Sequence, residues 1–266
     1  RYGAVPVAWS LDHVGLFARS AQGAALALDL LGGPDRRDHA SAVAMPEIGT
    51  LTGEVAGLRA GIPEASFEGE LDDEGRAAWE ATLARLRDLG VRTRTLALPS
   101  LRWTSVVSTT IMLAEASTYH TKWLEARPED YGADVRERLV IGRALSAGDY
   151  LTAQRGRQVI ADEVAGALRE VDVLIAPTTV HSATPVAEGA AALAQRPNTV
   201  GNHSFNLLRL FSLLGLPAVS TPSGFTAGGL PLGVQIAGRP FAEATVLNVA
   251  TAHERAAGLL RRRPPI

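Results

Sequence analysis

Side chains able to do chemistry are few in this sequence, and none sits in a standard catalytic spacing. Histidine occurs at His13, His39, His120, His181, His203 and His253. No H-E-x-x-H appears and no pair has metal-ligand spacing. They read as surface or hydrogen-bonded structural residues, and neither a metal nor another cofactor is expected. Cysteine is absent, which removes disulfides, thiolate metal sites and a cysteine nucleophile together. Of the 26 basic residues only Lys122 is a lysine, and no G-x-x-x-x-G-K-[ST] phosphate loop exists. No serine occupies a G-x-S-x-G elbow. Five carboxylates cluster between Glu68 and Glu74; they read as a loop and a helix start, where negative charge complements the dipole.

Bulk properties narrow the class. The chain has 266 residues, 46% of them hydrophobic, with a formal net charge of −2. That supports a full core and gives no broad basic face for nucleic acid. No apolar run reaches the length of a membrane span, and no signal peptide is visible. The lack of cysteine fits a reducing, cytoplasmic setting. Arg261-Arg262-Arg263 reads as a solvated tail.

The elements that must position any site alternate between strand and helix. Arg19–Leu31 reads as a helix stopped by Gly32-Gly33-Pro34, and Asp35–Glu54 as loop. Gly57–Pro63, Glu74–Leu89 and Val91–Leu98 read as strand, helix and strand, a βαβ unit with a parallel pair. Ser105–Ala126 and Asp130–Val140 read as helices. Ser146–Leu168 is the longest helix, with Ser146 and Asp149 at capping-box spacing. Val171–Ala176 reads as a buried strand opening into a long loop, Thr178–Asn202; such loops in α/β sheets tend to carry ligand contacts. A helix at Phe205–Leu214, strands at Ala218–Thr221 and Leu232–Ala237, and a closing helix at Ala242–Ala257 complete an α/β pattern with a mixed sheet.

Several blocks resemble the amidase-signature family of hydrolases. They are RYGAVPVAWSLDHVGLFARS from Arg1, the βαβ unit, AEASTYHTKW through AQRGR, VDVLIAPTT, and GLPAVSTPSGFTAGGLPLGVQIAGRPFAEATVL. The last is the most specific: two apolar strands joined by a Gly/Pro turn, then G-R-P-F-x-E-A-x-x-L at a helix start. The resemblance covers essentially the whole chain. It implies residues 1–266 as the C-terminal part of one amidase-signature domain, a mixed β-sheet covered by helices on both faces.

That family cleaves carboxamide C–N bonds with a Ser–cis-Ser–Lys triad, in which a neutral lysine activates the nucleophilic serine through a bridging serine. The triad belongs to a Gly/Ser-rich stretch and a lysine further upstream, so the resemblance places no catalytic residue here. Lys122, among helical residues, is expected on the surface. The opening at Arg1, mid-motif, implies that the N-terminal half of the enzyme is a partner of this portion, and that the portion alone is inactive and prone to homo-oligomerise. The alternative is a non-catalytic remnant or subunit. Substrate-binding positions carried over are Arg157, where members acting on carboxylate-bearing substrates use an arginine clamp, and Thr178 and Thr179 past the strand end. Arg155 and Arg143 are nearby alternatives to Arg157, and the threonines could equally cap or form a turn. The family departures are Leu16, Gly23 and Ser212. Phe205 stands where glutaminase-like members carry an acidic residue, which points to a general amidase acting on a more apolar small-molecule amide.

Overall fold

The computed structural model describes residues 1–42, 47–67, 69–186 and 204–262, with the side chains of 204–206 set aside. The first helix, α1 (Ala21–Leu31), starts at Ser20, whose hydroxyl accepts the Gly23 N–H as an N-cap should. The βαβ unit follows as β1 (Arg59–Ile62), α2 (Asp73–Asp88) and β2 (Arg92–Thr95). Asp72 caps α2 by accepting the Gly75 N–H at 2.7 Å. Asp73 and Glu74 lie in its first turn and Arg85 and Arg87 in its last, each sign at the end the dipole favours. Gly75, Trp79, Thr82 and Leu86 form its buried stripe at helical spacing.

Both strands of this unit are shorter than the alternation suggests. Pro63 has no N–H to extend β1, although the Leu96 N–H still reaches the Ile62 carbonyl at 2.8 Å. Three helices come next: α3 (Thr104–Ala126), α4 (Ala133–Arg143) and α5 (Ala147–Glu170). The capping box at the start of α5 is complete. Ser146 Oγ accepts the Asp149 N–H at 3.1 Å, and the Asp149 carboxylate accepts the Ser146 N–H at 2.8 Å, so aspartate performs the role usual for glutamate. The Ser146 hydroxyl and N–H hold the Asp149 carboxyl below the usual carboxylate range.

Strand β3 (Val173–Pro177) is buried along its whole length. The chain continues through α6 (Ser204–Leu214), β4 (Ala218–Phe225), β5 (Pro231–Ala237) and α7 (Glu243–Ala257). The described part of the Thr178–Asn202 loop ends at residue 186; the rest lies outside the described residues, as do His203 and the Phe205 side chain.

The strands form one sheet in the order β2-β1-β3-β5-β4. β1 pairs in parallel with β2 and β3, and β5 pairs antiparallel with β3 and β4. The β1-to-β2 and β2-to-β3 connections run in opposite directions across the sheet. Right-handed crossovers therefore place α2 on one face and α3–α5 on the other. Helix α7 packs on β4 and α2, with α1 outside it. Arg239, in the G-R-P-F segment, closes the far end of α5 by donating to the Leu168 and Val171 carbonyls at 2.6 and 3.0 Å.

Strand β4 runs four residues beyond the expected Thr221. Pro222 is tolerated because β4 is an edge strand, and a register shift between Pro222 and Gly224 accommodates the break as a bulge. The sheet's two edges differ in chemistry. β2 carries Arg92 and Arg94, the kind of charge that discourages strand addition, whereas β4 (AVSTPSGF) carries none.

Candidate functional site

The first seventeen residues form an arm whose motif residues each have a structural task. Asp12 folds it back on itself, accepting the Val7 and Ala8 N–H groups at 2.8 and 3.1 Å. Ser10 docks it on α3, where the Glu115 carboxylate accepts the Ser10 N–H at 2.8 Å and the Ser10 hydroxyl at 2.7 Å. The same carboxylate accepts the Tyr150 hydroxyl from α5 at 2.9 Å, and Gln154 donates to that hydroxyl at 2.9 Å. Burial raises the Tyr150 pKa, and the bond to Glu115 raises it further. A second anchor lies at His120. Nε2–H donates to the Pro6 carbonyl at 3.2 Å, which leaves Nδ1 to accept the Tyr131 hydroxyl at 2.9 Å.

Arg157 belongs to this anchorage. It projects from α5, half-buried, and its Nη2 donates to the Ser10 carbonyl at a long 3.4 Å. That is the one hydrogen bond of its side chain among the described residues. Gly156 beside it sets the helix depth, since a Cβ there would come within 2.8 Å of Val107 on α3. The two alternative arginines differ. Arg155 is exposed, and Arg143 is exposed and paired with Glu125 at 2.7 Å. Of the three, only Arg157 reaches the arm while keeping most of its guanidinium donors uncommitted.

Thr178 and Thr179 lie elsewhere, just past the carboxyl end of β3. The Thr178 N–H donates to the Gly233 carbonyl at 2.8 Å, and its hydroxyl shares a 2.7 Å hydrogen bond with that of Ser220. The contact crosses over β5 because Gly233 lacks a side chain; a Cβ there would stand 2.9 Å from Thr178 Oγ1 and 3.3 Å from Ser220 Oγ. Thr178 thus ties the strand end to β4, while Thr179 is exposed. No hydrogen bond among the described residues links either threonine to Arg157.

Two cavities flank the arm. One of about 680 Å³ lies between Trp9, α3 and the α4–α5 junction, with Glu115, Tyr119 and Tyr150 on its wall. The other, about 640 Å³, lies between the arm and residues 37–39. Trp9 and Tyr119 border both, with ring centroids 6.4 Å apart in an edge arrangement. Glu115 is a site residue that sequence reasoning does not single out. A signal exists nonetheless: it is a lone charge inside the apolar run Ile111-Met112-Leu113-Ala114, continued by Ala116.

Several other ionisable groups lie away from this face. Lys122 is exposed on α3, and its side chain makes no hydrogen bond among the described residues. His253 is buried in α7, its Nε2 donating to the Pro222 carbonyl at 3.1 Å, and burial lowers its pKa to about 4. Glu254 accepts the Ala21 N–H and the Thr221 hydroxyl, fastening α1 to α7 and β4. Among the described residues no group of three His, Asp or Glu could hold a metal, and no helix is long and apolar enough to cross a membrane.

A mixed five-stranded sheet with helices on both faces is an α/β arrangement, and solved amidase-signature structures share it over 96–97% of this chain. Residues 1–247 match the Amidase family, and the chain belongs to it. It is 32% identical over 290 residues to a glutamyl-tRNA(Gln) amidotransferase subunit of Methanosarcina mazei, covering 100% of this chain and 60% of that protein. It is 35% identical over 270 residues to an amidase of Pseudomonas putida, covering 99% and 57%. Among solved structures, the corresponding amidotransferase subunit of Thermotoga maritima superposes with a TM-score of 0.79 at 28% identity, covering 96% of this chain and 55% of that one. The chain therefore spans about three fifths of the length of the curated relatives it matches. Amidases and amidotransferase subunits match it at nearly equal identity, so substrate choice has to be argued from the site.

Proposed function

We propose that this chain is the substrate-lining C-terminal part of an amidase that hydrolyses a carboxamide C–N bond on a Ser–cis-Ser–Lys triad supplied from outside these residues. The observation that carries the reading, given family membership, is Arg157: half-buried, held to the arm by one long bond, with donors left for a substrate oxygen. The Ser10 carbonyl then stands in for that oxygen when substrate is absent. In the reaction the nucleophilic serine adds to the amide carbonyl while its proton passes through the bridging serine to the lysine. The amine leaves with a proton, and water releases the acid. Thr178 and Thr179, carried over by resemblance, stand apart from Arg157 at the β3 end, where Thr178 is bound to Ser220. Phe205, standing where the resemblance puts an acidic residue in glutaminase-like members, favours a general amidase with a more apolar substrate.

The reading extends to what covers this face. Phe17, Val14, Leu30 and Leu31 are exposed on the arm and on α1, and Leu16, Ala18, Ala21 and Ala24 of the same segment border the uncharged strand β4. Exposed apolar area of this kind marks an interaction surface, and the stretch of β4 before Pro222 and its bulge carries no charge to discourage pairing. We assign both to the remaining part of a family-length chain, or to a second copy where that part is missing. Two measurements test the proposal. The purified 266-residue chain is expected to show no turnover of simple aryl or aliphatic amides and to self-associate in light scattering. Amide turnover by the chain alone overturns the placement of the triad. A monodisperse monomer overturns the assignment of the surface.

A further inference from the structure

The 680 Å³ cavity beside the arm has a wall chemistry that selects its occupant. Three rings from three separate elements border it: Trp9 from the arm, Tyr119 from α3 and Tyr150 from α5. Most of its polar groups are already used, although the Tyr119 hydroxyl makes no hydrogen bond among the described residues. Glu115 accepts from Ser10 and Tyr150, and the hydroxyls of Ser117, Thr118 and Thr121 each donate to a carbonyl of their own helix. What remains for a ligand is largely aromatic and hydrocarbon surface, with two charges of opposite sign, Glu115 and the Arg143 guanidinium that pairs with Glu125 at 2.7 Å, so the wall favours neither a cation nor an anion.

From this we infer that the cavity is a subsite for the aryl group of an uncharged amide, with Trp9 and Tyr119 as its specificity-determining walls. The inference rests on the hydrolase reading and adds the substrate class. The cavity lies within the usual size range of small-molecule sites and holds a ring with room for a linker. Trp9 is 62% exposed, a costly placement for so large a ring unless something stacks on it. Its backbone is nevertheless fixed, because Ser10 next to it is bound by Glu115 and Arg157. The tryptophan is thus presented to the cavity on an anchored segment, and edge contact with Tyr119 sets the gap. The ring edge of a ligand, being electropositive, also suits the nearby Glu115 carboxylate.

The test compares phenylacetamide, hexanamide and phenylacetate on the 266-residue chain by tryptophan fluorescence and saturation-transfer NMR. Phenylacetamide is expected to bind about tenfold more tightly than hexanamide, with transfer strongest at its ring protons, and more tightly than phenylacetate. Trp9→Ala and Tyr119→Leu should each abolish that preference, and Trp9→Phe should keep most of it. Equal affinities for the two amides, unchanged preference in both variants, or no saturable binding overturns the inference. So does loss of phenylacetamide binding in a chain extended to family length, since the cavity would then be a seat for protein. None of these readouts depends on turnover. An inactive extended chain that still prefers the aryl amide refutes the hydrolase reading alone, and an active one without the preference refutes the subsite alone.

Discussion

Replacing Glu115 is the sharpest perturbation of the arm, because one carboxylate joins residues far apart in the chain. It accepts three hydrogen bonds, from the Ser10 N–H, the Ser10 hydroxyl and the Tyr150 hydroxyl, at 2.7 to 2.9 Å. Bonds to a charged acceptor contribute about 1.5–3 kcal/mol each when buried. This site is half-buried, and water replaces part of what is lost, so Glu115→Ala should cost about 2–4 kcal/mol in total. Glu115→Gln should cost much less. Its Oε1 can accept the Ser10 N–H while its NH₂ donates to the two hydroxyls, which rotate their hydrogens away. Only the charge assistance goes, about 1 kcal/mol. Urea denaturation of the wild type and both variants measures the difference, and limited proteolysis reports whether the arm is released in Glu115→Ala alone. Equal losses for the two variants, or a loss below about 0.5 kcal/mol for alanine, would refute the claim that Glu115 anchors the arm by accepting hydrogen bonds.

Other consequences can be measured on the same chain. His253 has a folded-state pKa of about 4 against an ordinary 6.5, so the unfolded chain binds more protons between those values. Stability is full above pH 6.5 and falls as pH drops toward 4, by on the order of a few kcal/mol; His253→Asn should flatten that slope in urea titrations at about pH 7 and about pH 5. Gly233→Ala places a Cβ 2.9 Å from Thr178 Oγ1 and should cost about 1–3 kcal/mol by overpacking, with Thr178→Ala, which removes that oxygen, as the partial rescue. Ser146→Ala removes half of the α5 capping box and should lower stability by about 1 kcal/mol, read as a shift in the urea midpoint at unchanged slope.

Local chemistry explains which parts of the fold can be read in advance. Helices α2 and α5 announce themselves through Asp72 and Ser146, whose side chains act within three residues, so the relevant contact is written locally. Sequence pattern ends β4 too early because Pro222-Ser223-Gly224 has the composition of a turn. Only its place at a sheet edge, a property of the whole topology, makes a proline there harmless. Glu115 escapes notice for a similar reason. A carboxylate on a helix normally means solvent, and its partners lie 105 and 35 residues away in sequence. Arg157 is named from resemblance, with Arg143 and Arg155 beside it as alternatives; burial and the Ser10 contact separate the three, and neither is visible in one sequence.

Glu115 and Arg157 hold opposite ends of the same residue, and their chemistry divides the work. Glu115 takes both donors of Ser10 in short, charge-assisted bonds, whereas Arg157 takes its carbonyl in a bond near the outer limit of hydrogen-bond geometry. A guanidinium has about five donors in a fixed fork, and one long contact leaves most of that capacity unused. The tight bonds fix where the arm lies; the loose one can be exchanged for a substrate oxygen without releasing the arm. A substrate that draws Arg157 away would leave Trp9 in place, because Ser10 remains on Glu115. On the proposed reading, anchoring and recognition reside on different side chains, so loss of Glu115 should unfasten the arm, whereas loss of Arg157 should leave it docked and weaken only what the arm helps to bind.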